Sequence, residues 1–370
     1  MKSVLLYYPF VLAENVNSGS KLRPRLIYEA FQLWGKEKNI EILLLSGTSK
    51  EREHKFESWR KSGKLNNILF CYMENQTIPL WLTDEGHIPR KPFIDKKVLS
   101  FLKRRGVPIG VFYRDVYWKF DELYPLKGLK KKIMQLIYRL EEKFYEKYCD
   151  VIFLPSIAMG AYVNIKRKKV ALPPGGKKRN IKKIPCHQNV LRAIYVGGVK
   201  NKDHGLPLLL DALKVVNKDS KECDLTIVCR KNEYEELEVE KKEALKQLDV
   251  NVKHLSGEEL DALYLEMDFA LIPRYRTVYN DFSVPVKLVE YLSNELPVIA
   301  TNCEAQKEFI MSGGYGIICN DEPKDLANAI IEMKKRKNEF VDNIQKTFFE
   351  QHSWIARVRK VEETLIQEEQ

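Results

Sequence analysis

The chain has 370 residues, a hydrophobic fraction of 44% and a formal net charge of +11, from 62 Lys and Arg against 51 Asp and Glu. This length is long for one hydrophobic core and suits two domains, and the composition excludes a disordered or fibrous chain. No apolar run approaches the ~20 residues of a membrane-spanning helix, which excludes an integral membrane protein of that kind.

Strand and helix patterns alternate along the first half of the sequence. They predict strands at 4–9, 40–46, 68–73, 107–114, 151–155 and 170–172, and helices at 21–38, 50–62, 93–105 and 126–148. The apolar run 4–13 is broken by Pro9, and no cleavage site is evident. We therefore interpret it as a strand and not as a signal peptide, and we expect a cytosolic protein.

Residues 173–185 hold three Pro, two Gly and five basic residues, a composition that indicates a linker. The alternation then resumes. It predicts strands at 191–196, 225–229, 252–255, 269–273, 296–301 and 316–319, and helices at 205–216, 233–248, 258–266, after Pro285, at 323–335 and at 354–367. This order predicts two βαβ domains, each built on a parallel sheet.

Seven cysteines and six histidines are scattered along the chain. No two cysteines have the Cys-x-x-Cys spacing, which favours a reducing compartment and argues against a disulfide framework or a structural zinc site. The sequence contains no Asp-x-Asp pair, no Gly-x-Ser-x-Gly elbow and no P-loop. We therefore expect no metal held by such a pair, and the common hydrolase and P-loop functions are excluded.

The charge is unevenly distributed. Residues 1–185 carry 37 Lys and Arg against 18 Asp and Glu, a net of +19, and the remainder carries a net of −8. This asymmetry predicts an anionic partner for the first half, such as a membrane with acidic lipids or a phosphate-bearing acceptor. Nucleic acid fits the charge alone, but no nucleic-acid module is present, and charge for solubility is the alternative.

The predicted helix at 126–148 interleaves seven basic residues with apolar ones. Such a basic amphipathic helix suits the surface of a membrane, and this interpretation predicts a peripheral location on its inner face. A helix that packs its apolar side on the core and solvates its basic side fits the pattern equally well.

In each predicted domain, one glycine loop follows the first strand. Ser18, Gly19 and Ser20 lie after the strand at 4–9, and Gly197 and Gly198 lie after the strand at 191–196. In open parallel sheets, ligands bind at the carboxyl ends of the strands, and glycine lets the backbone approach a phosphate closely. Each loop is a candidate phosphate site, although an ordinary turn has the same composition.

Basic side chains surround the second glycine loop. Lys200 follows it, and Arg230 ends the predicted strand at 225–229 on the same edge of the sheet. Either side chain suits an anion held at that edge, or simply faces solvent. The loop lacks the Gly-x-Gly-x-x-Gly fingerprint, and no acidic residue closes a following strand, so we do not predict NAD binding.

The segment from Arg114 to Trp118 ends a strand of the first domain. An Arg beside Asp115, with aromatic rings around them, is typical of a sugar site, where the carboxylate holds hydroxyl groups and a ring stacks on the pyranose. The alternative is an Arg–Asp ion pair beneath packed aromatic rings.

Lys287 and Glu290 lie three residues apart at the start of the helix after Pro285, with Ser283 just before it. They therefore share one face near a helix N-terminus. A lysine at such a terminus suits a phosphate, and a carboxylate one turn further on accepts hydrogen bonds from sugar hydroxyls. A nucleotide fits this pattern, and an ion pair on a surface helix is the alternative.

These motifs together resemble those of the GT-B glycosyltransferases, most closely the retaining glycosyltransferase family 4-like group. The resemblance covers the whole chain. It depends mainly on Ser283-x-Pro285-x-Lys287-x-x-Glu290 followed by the strand at 296–301, and further on the two glycine loops, on Arg114–Asp115 and on the closing helix with Trp354.

The resemblance implies an α/β protein with two Rossmann-like domains that face each other across a cleft. Residues 1–180 would bind the acceptor, residues 181–350 would bind the donor, and a helix at 351–370 would cross back to the first domain. The reaction would transfer a sugar from a nucleoside-diphosphate sugar to a glycan or lipid-linked acceptor of cell-surface polysaccharide or glycoconjugate synthesis. A UDP-sugar is favoured over a GDP-sugar as the donor. It would be a hexosyl transfer, with retention favoured over inversion, and no cofactor or metal would be bound.

The resemblance also implies roles for individual residues. Catalytic roles fall to Gly19, Asp115 and Lys287. The Gly19 N–H would face the β-phosphate and Lys287 the diphosphate. Donor-binding roles fall to Gly198, Lys200, Arg230, Ser283, Lys287 and Glu290, with Glu290 on the ribose.

Three positions depart from the family pattern. Phe282 stands where the family often has a first glutamate, with Asp281 beside it, and the family's phosphate-loop Arg and Lys fall on Gly198 and His204. Two further functions therefore stay open: a catalytically silent GT-B subunit that partners an active transferase, and a sugar-nucleotide epimerase.

Overall fold

The computed structural model describes residues 1–12, 19–179, 181 and 190–366. The chain divides into two compact units, which we call unit 1 (residues 1–174 and 354–370) and unit 2 (residues 175–353). The sequence places the corresponding domain boundaries at residues 180 and 350. Ser18 and Cys186 lie outside the described residues.

The described part of unit 1 contains one parallel sheet of six strands in the order β2-β1-β3-β4-β5-β6. The strands are β1 (Ser3–Tyr7), β2 (Glu41–Leu45), β3 (Ile68–Glu74), β4 (Ile109–Phe112), β5 (Val151–Leu154) and β6 (Lys168–Ala171). The helices are α1 (Gly19–Lys38), α2 (Ser49–Lys61), α3 (Ile94–Lys103) and α4 (Gly128–Tyr148).

The described part of unit 2 repeats this architecture, with six parallel strands in the order β12-β11-β10-β7-β8-β9. The strands are β7 (Leu191–Val196), β8 (Cys223–Val228), β9 (Asn251–Lys253), β10 (Phe269–Ile272), β11 (Val298–Thr301) and β12 (Gly316–Cys319). The helices are α5 (Leu206–Val216), α6 (Lys231–Glu235), α7 (Val239–Gln247), α8 (Gly257–Glu266), α9 (Val278–Phe282), α10 (Val286–Ser293), α11 (Glu304–Gly313), α12 (Pro323–Asn343) and α13 (Phe349–His352).

The last helix, α14 (Trp354–Ile366), belongs to unit 1 and packs against α1. The indole Nε1 of Trp34 donates to Glu362 Oε2 at 2.8 Å, and Arg357 Nε donates to the carbonyl of Pro173 at 3.0 Å. These bonds, together with buried Val358, Val361 and Leu365, fix the end of the chain to unit 1.

Burial on both faces explains why the strands are continuous apolar runs. Along β7, Ala193 and Tyr195 pack into one hydrophobic cluster, whereas Ile194 and Val196 pack into another on the opposite face. Such double coverage is characteristic of parallel sheets with helices on both sides. The predicted α/β class with two Rossmann-like sheets is confirmed.

The structure corrects the prediction for 233–248, which is not one helix. α6 and α7 are separate, and the extended backbone of Glu238 lies between them, beside the buried side chain of Leu237. The helices α9 and α11 were missing from the sequence prediction. α9 begins after Thr277, whose side chain accepts from the Asn280 N–H at 3.1 Å, so an N-cap threonine was the available signal.

A carboxyl group buried in α4 gives a prediction about stability. Glu141 is 1% exposed, and its Oε1 accepts from the Leu80 N–H at 2.8 Å and from the Tyr145 hydroxyl at 2.9 Å. Burial raises the pKa of Glu141 from 4.5 to about 8. The folded state therefore holds this proton to a higher pH than the unfolded chain does.

We expect the free energy of unfolding to decline as the pH rises from about 5 through about 8, because the folded state then loses a proton that it binds more tightly. Glu141→Gln should remove this decline. The melting temperature of the variant minus that of the wild type should therefore be larger at pH 9 than at pH 6. Thermal melts across this range measure the effect, with the exposed Glu122→Gln as the control. Parallel pH profiles for wild type and Glu141→Gln would contradict the prediction.

Candidate functional site

A pocket of about 240 Å³ lies in unit 2 at the carboxyl ends of β7 and β10. These strands are neighbours in the sheet but not in the chain, so the strand order reverses between them. A reversal of this kind opens a crevice at the carboxyl edge, where ligands bind in open α/β sheets. The pocket is lined by Tyr195, Val196, Gly197, Gly198, His204, Leu271, Ile272, Arg274, Pro285, Lys287 and Tyr291.

Two close contacts define the walls of the pocket. A Cβ at Gly205, where φ is +83°, would lie 1.5 Å from the Pro273 carbonyl oxygen, so only glycine lets α5 start this close to the end of β10. The buried Tyr291 hydroxyl on α10 accepts from the Val196 N–H at 2.8 Å. The loops after β7 and β10 and the start of α10 are thereby held together.

Arg274, the second residue after β10, supplies a cation to the pocket wall. Its Nη1 donates to the Ser283 carbonyl at 3.2 Å, and its Nη2 donates to Ser283 Oγ at 2.7 Å and to Asn280 Oδ1. In the described part of the chain no carboxylate forms an ion pair with it. Burial lowers the pKa of this guanidinium from its ordinary value, which is the cost of a charge held by neutral partners. An anion in the pocket would offset that cost.

Lys287 is the second cation of the wall and lies in the first turn of α10. Its Nζ lies 2.7 Å from Glu290 Oε2, and Glu290 Oε1 accepts from the Tyr264 hydroxyl at 2.8 Å. The ion pair is thus present as the alternative interpretation expected. Both side chains remain partly exposed, and a carboxylate oxygen with one donor can accept a second.

The N-terminus of α10 adds partial positive charge beside Lys287. No side chain among the described residues caps it, and Pro285 stands at the N-cap position. Uncapped N–H groups and the helix dipole favour an anion at this end. The described pocket wall therefore combines two cationic side chains and a histidine with no acidic side chain.

Gly198 lies on the pocket wall, and its carbonyl oxygen accepts from the Tyr195 hydroxyl at 2.6 Å. Its N–H has no hydrogen-bond acceptor within the described residues, and a Cβ there would come within 2.9 Å of His204 Nδ1 and 3.0 Å of Glu233 Oε2. The structure therefore has little room for the arginine that the family pattern places here. A free N–H and a close backbone approach fit the predicted phosphate role.

The other predicted donor residues have different positions. Ser283 does not line the pocket, but it accepts two hydrogen bonds from Arg274 of the wall and so positions the guanidinium. Lys200 is largely exposed and pairs with Glu236 at 2.6 Å, and Arg230 is 76% exposed and lies 3.5 Å from Glu233. Neither cation lines this pocket, so the anion contacts predicted for them stay predictions.

Phe282 is 2% exposed and packs its ring on Tyr279 at 5.1 Å, so this position offers an apolar ring where a carboxylate was expected. The neighbouring Asp281 pairs with Arg276 at 3.1 Å and accepts from the Glu304 N–H at 3.3 Å. Its carboxylate is therefore engaged away from the pocket wall.

In unit 1, Arg114 does not pair with Asp115. Its Nη2 lies 3.5 Å from Glu74 Oε2, and Arg23 Nε lies 3.1 Å from Glu74 Oε1. Asp115 Oδ1 instead accepts from the N–H groups of Val116 and Tyr117, at 2.7 and 2.9 Å.

Of the aromatic rings around Arg114 and Asp115 that were predicted to stack on a sugar, that of Trp118 is enclosed by the protein. Trp118 is 2% exposed and stacks on Tyr138 of α4 at 4.9 Å with an interplanar angle of 5°. This packing corrects the expectation that its ring faces a pyranose. Gly19 is the first residue of α1, and its catalytic role and that of Asp115 stay predictions.

Sequence reasoning missed Arg274. Its signal was available, because Arg274 follows β10 at the same edge where Arg230 follows β8. Sequence alone did not show that α9 would bring Asn280 and Ser283 to its guanidinium. The described residues contain no cluster of three His, Cys, Asp or Glu side chains placed to hold a metal ion.

Residues 191–336, all in unit 2, match the sequence model of the family described as glycosyl transferases group 1. No curated protein matches the sequence significantly. Among solved structures, sucrose-phosphate synthase from Thermosynechococcus elongatus is similar over 99% of both chains, with a TM-score of 0.61 and 12% identity.

Two further structures are similar over nearly their whole length. HepE from Anabaena, solved in complex with UDP-glucose, has a TM-score of 0.58 and 14% identity, over 98% of this chain and 99% of its own. A glycosyltransferase from Rickettsia africae has a TM-score of 0.58 and 14% identity, over 99% of this chain and 98% of its own. The chain therefore has the GT-B fold of glycosyltransferases, and its second unit carries the sequence pattern of glycosyl transferases group 1.

Proposed function

We propose that this protein transfers a sugar from a nucleoside-diphosphate sugar to an acceptor hydroxyl, with a UDP-sugar favoured over a GDP-sugar as the donor. The pocket at the carboxyl ends of β7 and β10 carries this proposal, because Arg274, Lys287 and Gly198 line it without an acidic side chain among the described residues. A diphosphate is the part of the donor that this charge fits. The similar HepE structure with UDP-glucose supports the choice of donor class.

The same groups explain how the site would assist the reaction. When the bond between the anomeric carbon and the β-phosphate oxygen breaks, negative charge grows on the departing diphosphate. Fixed cations and N–H groups stabilise that charge without a metal. The acceptor oxygen forms the new bond to the anomeric carbon, and its proton passes to an oxygen of the departing diphosphate. Glu290, one turn after Lys287, would accept hydrogen bonds from the ribose hydroxyls, and retention of configuration follows the resemblance to the family 4-like group.

The acceptor we propose is a glycan or a lipid-linked glycan of cell-surface polysaccharide or glycoconjugate synthesis, reached by a protein that lies peripherally on an acidic membrane surface. The net charge of +19 on residues 1–185 supports this choice. No helix in the described ranges is both long and apolar enough to cross a membrane.

Calorimetric titration with UDP, GDP and UMP tests donor binding, and release of UDP from UDP-sugars in the presence of acceptor glycosides tests turnover. We expect UDP to bind more tightly than UMP, because the second phosphate reaches the cations. Equal affinity for UDP and UMP, or no binding of any nucleotide, would overturn the proposal. The coupling constant of the anomeric proton in the product tests retention.

Phe282 favours one second candidate, a catalytically silent GT-B subunit. Its buried ring removes the carboxylate that many relatives carry at this position. Such a subunit would bind UDP yet release none from UDP-sugars when alone, and turnover would appear only with a partner transferase. Turnover by the single chain would exclude it.

A further inference from the structure

Helix α4 exposes a ridge of four aliphatic side chains, which we call the α4 ridge. The exposed fractions are 73% for Leu129, 50% for Ile133, 55% for Leu136 and 47% for Leu140. With 3.6 residues per turn, these side chains fall within about 60° of arc on one side of the helix. Monomeric soluble proteins rarely expose contiguous apolar surface of this kind without a partner.

The opposite side of α4 accounts for the packing of the helix on unit 1. Tyr138, Glu141, Glu142 and Tyr145 are buried there, and Gln135 Nε2 donates to the Trp118 carbonyl at 3.0 Å. The core-facing interpretation of this amphipathic helix therefore explains only one of its two apolar stripes. The α4 ridge needs another account.

Cations border the α4 ridge. Lys130, Lys132, Arg139 and Lys143 are exposed, and none of them pairs with a carboxylate of the described residues. At the C-terminal end, Lys103 Nζ donates to the Lys147 carbonyl at 2.7 Å and brings the exposed basic end of α3 alongside. Of the three glutamates of α4, two are buried and Glu146 is half-buried, so little negative charge offsets these cations.

We propose that the α4 ridge and its cationic border dock on the surface of an anionic lipid bilayer. Aliphatic side chains between lysines match the boundary between acyl chains and acidic headgroups. A second copy of the chain fits poorly, because two identical cationic borders would face each other across a two-fold contact. Nucleic acid fits poorly as well, since apolar side chains occupy the centre of the face where phosphates would lie.

This inference deepens the peripheral location that forms part of the proposed function, and lipid binding itself requires no turnover. The inner side of α4 holds the segment with Asp115 and Trp118 through the Trp118–Tyr138 stack. Docking would therefore bring this segment to within about one helix diameter of the lipid surface, a position that fits an acceptor carried on a lipid anchor.

Flotation of the full chain with vesicles tests the proposal. We expect the protein to float with vesicles that contain 30% phosphatidylglycerol in phosphatidylcholine, and not with pure phosphatidylcholine vesicles. Ile133→Asp combined with Leu136→Asp should weaken the binding at least tenfold. The matched control, Val239→Asp with Met311→Asp, places the same charges on exposed apolar positions of unit 2 and should bind as the wild type does.

A second variant keeps the test independent of the apolar changes. Lys132→Gln with Lys143→Gln should weaken binding to the acidic vesicles at low salt, whereas the exposed control Lys324→Gln with Lys335→Gln should not. Thermal melts confirm that each variant is folded.

Three results would overturn the proposal. The first is no flotation of the wild type, and the second is flotation of the aspartate variant and of the Lys132→Gln, Lys143→Gln variant to the same extent as the wild type. The third is a dimer in light scattering that the two aspartates dissociate. UDP titrations on the same proteins separate this inference from the donor proposal. Nucleotide binding without flotation refutes only the docking face, and flotation without nucleotide binding refutes only the donor site.

Discussion

Arg274→Ala is expected to cause the largest loss of donor affinity among single changes in the pocket. Its guanidinium is held by Ser283 and Asn280 and has no carboxylate partner in the described part of the chain, so its charge is available to an anion. A hydrogen bond to a charged group contributes about 1.5–3 kcal/mol, which corresponds to a roughly 10- to 150-fold weaker affinity for UDP. The effect on kcat should be larger still, about 10²–10³-fold, because charge grows on the diphosphate during the reaction.

The neighbouring arginine provides the control for this change. Arg276 is exposed and pairs with Asp281, so Arg276→Ala should leave UDP affinity close to that of the wild type. Arg274→Lys should restore only part of the affinity, because an ammonium group cannot contact both Ser283 and a phosphate in the planar geometry of a guanidinium. UDP titrations and initial rates measure these effects. Wild-type affinity in Arg274→Ala would assign the diphosphate to other cations, with Lys200 and Arg230 the next to replace.

Lys287→Ala is expected to have the second largest effect, about 10- to 100-fold on UDP affinity, because it removes a cation from the pocket wall next to the α10 N-terminus. The loss should be specific to the phosphates. Affinity for UDP should fall much more than affinity for uridine, which carries no phosphate charge.

Glu290→Gln distinguishes the role of Glu290 from that of its ion-pair partner Lys287. It leaves Lys287 in place and keeps an oxygen for the Tyr264 hydroxyl, but it weakens the acceptor proposed for the ribose. We therefore expect Glu290→Gln to reduce the preference for UDP over 2′-deoxy-UDP, and Lys287→Ala to leave that preference unchanged. The exposed Lys335→Ala in the same unit is the control. If Lys287→Ala bound UDP and uridine with wild-type affinities, the lysine would serve only the ion pair with Glu290.

Local patterns predicted most of the fold because both sheets are parallel and buried on both sides. Their strands are continuous apolar runs such as 191–196, and the helices between them are long enough to show their own period. Two of the errors arose where elements are short. The five residues of α9 give no readable period, and the break before α7 depends on Leu237 reaching a core that the sequence does not reveal.

The site was predictable to the extent that its residues are neighbours in sequence. Lys287 and Glu290 share a helical turn, so their spacing alone placed them on one face of α10. Gly198 followed from its position after a strand. Lys200 and Arg230 followed from the same rule, yet their side chains pair with Glu236 and Glu233 and do not line the pocket. The rule gives the edge of the sheet on which a residue lies, and not the direction of a long side chain.

The sequence by itself determined the α/β class, the two parallel sheets and the placement of Lys287 and Glu290 on one helical face, because each depends on patterns within a few residues. Only the tertiary structure decided that Arg274 joins Lys287 as a cation of the pocket wall, that Arg114 pairs with Glu74, and that the α4 ridge is left uncovered. These three outcomes depend on elements that are distant in the chain and on which of two apolar stripes the core covers. Sequence periodicity shows that a stripe exists, and the packing of the whole unit decides whether it is buried.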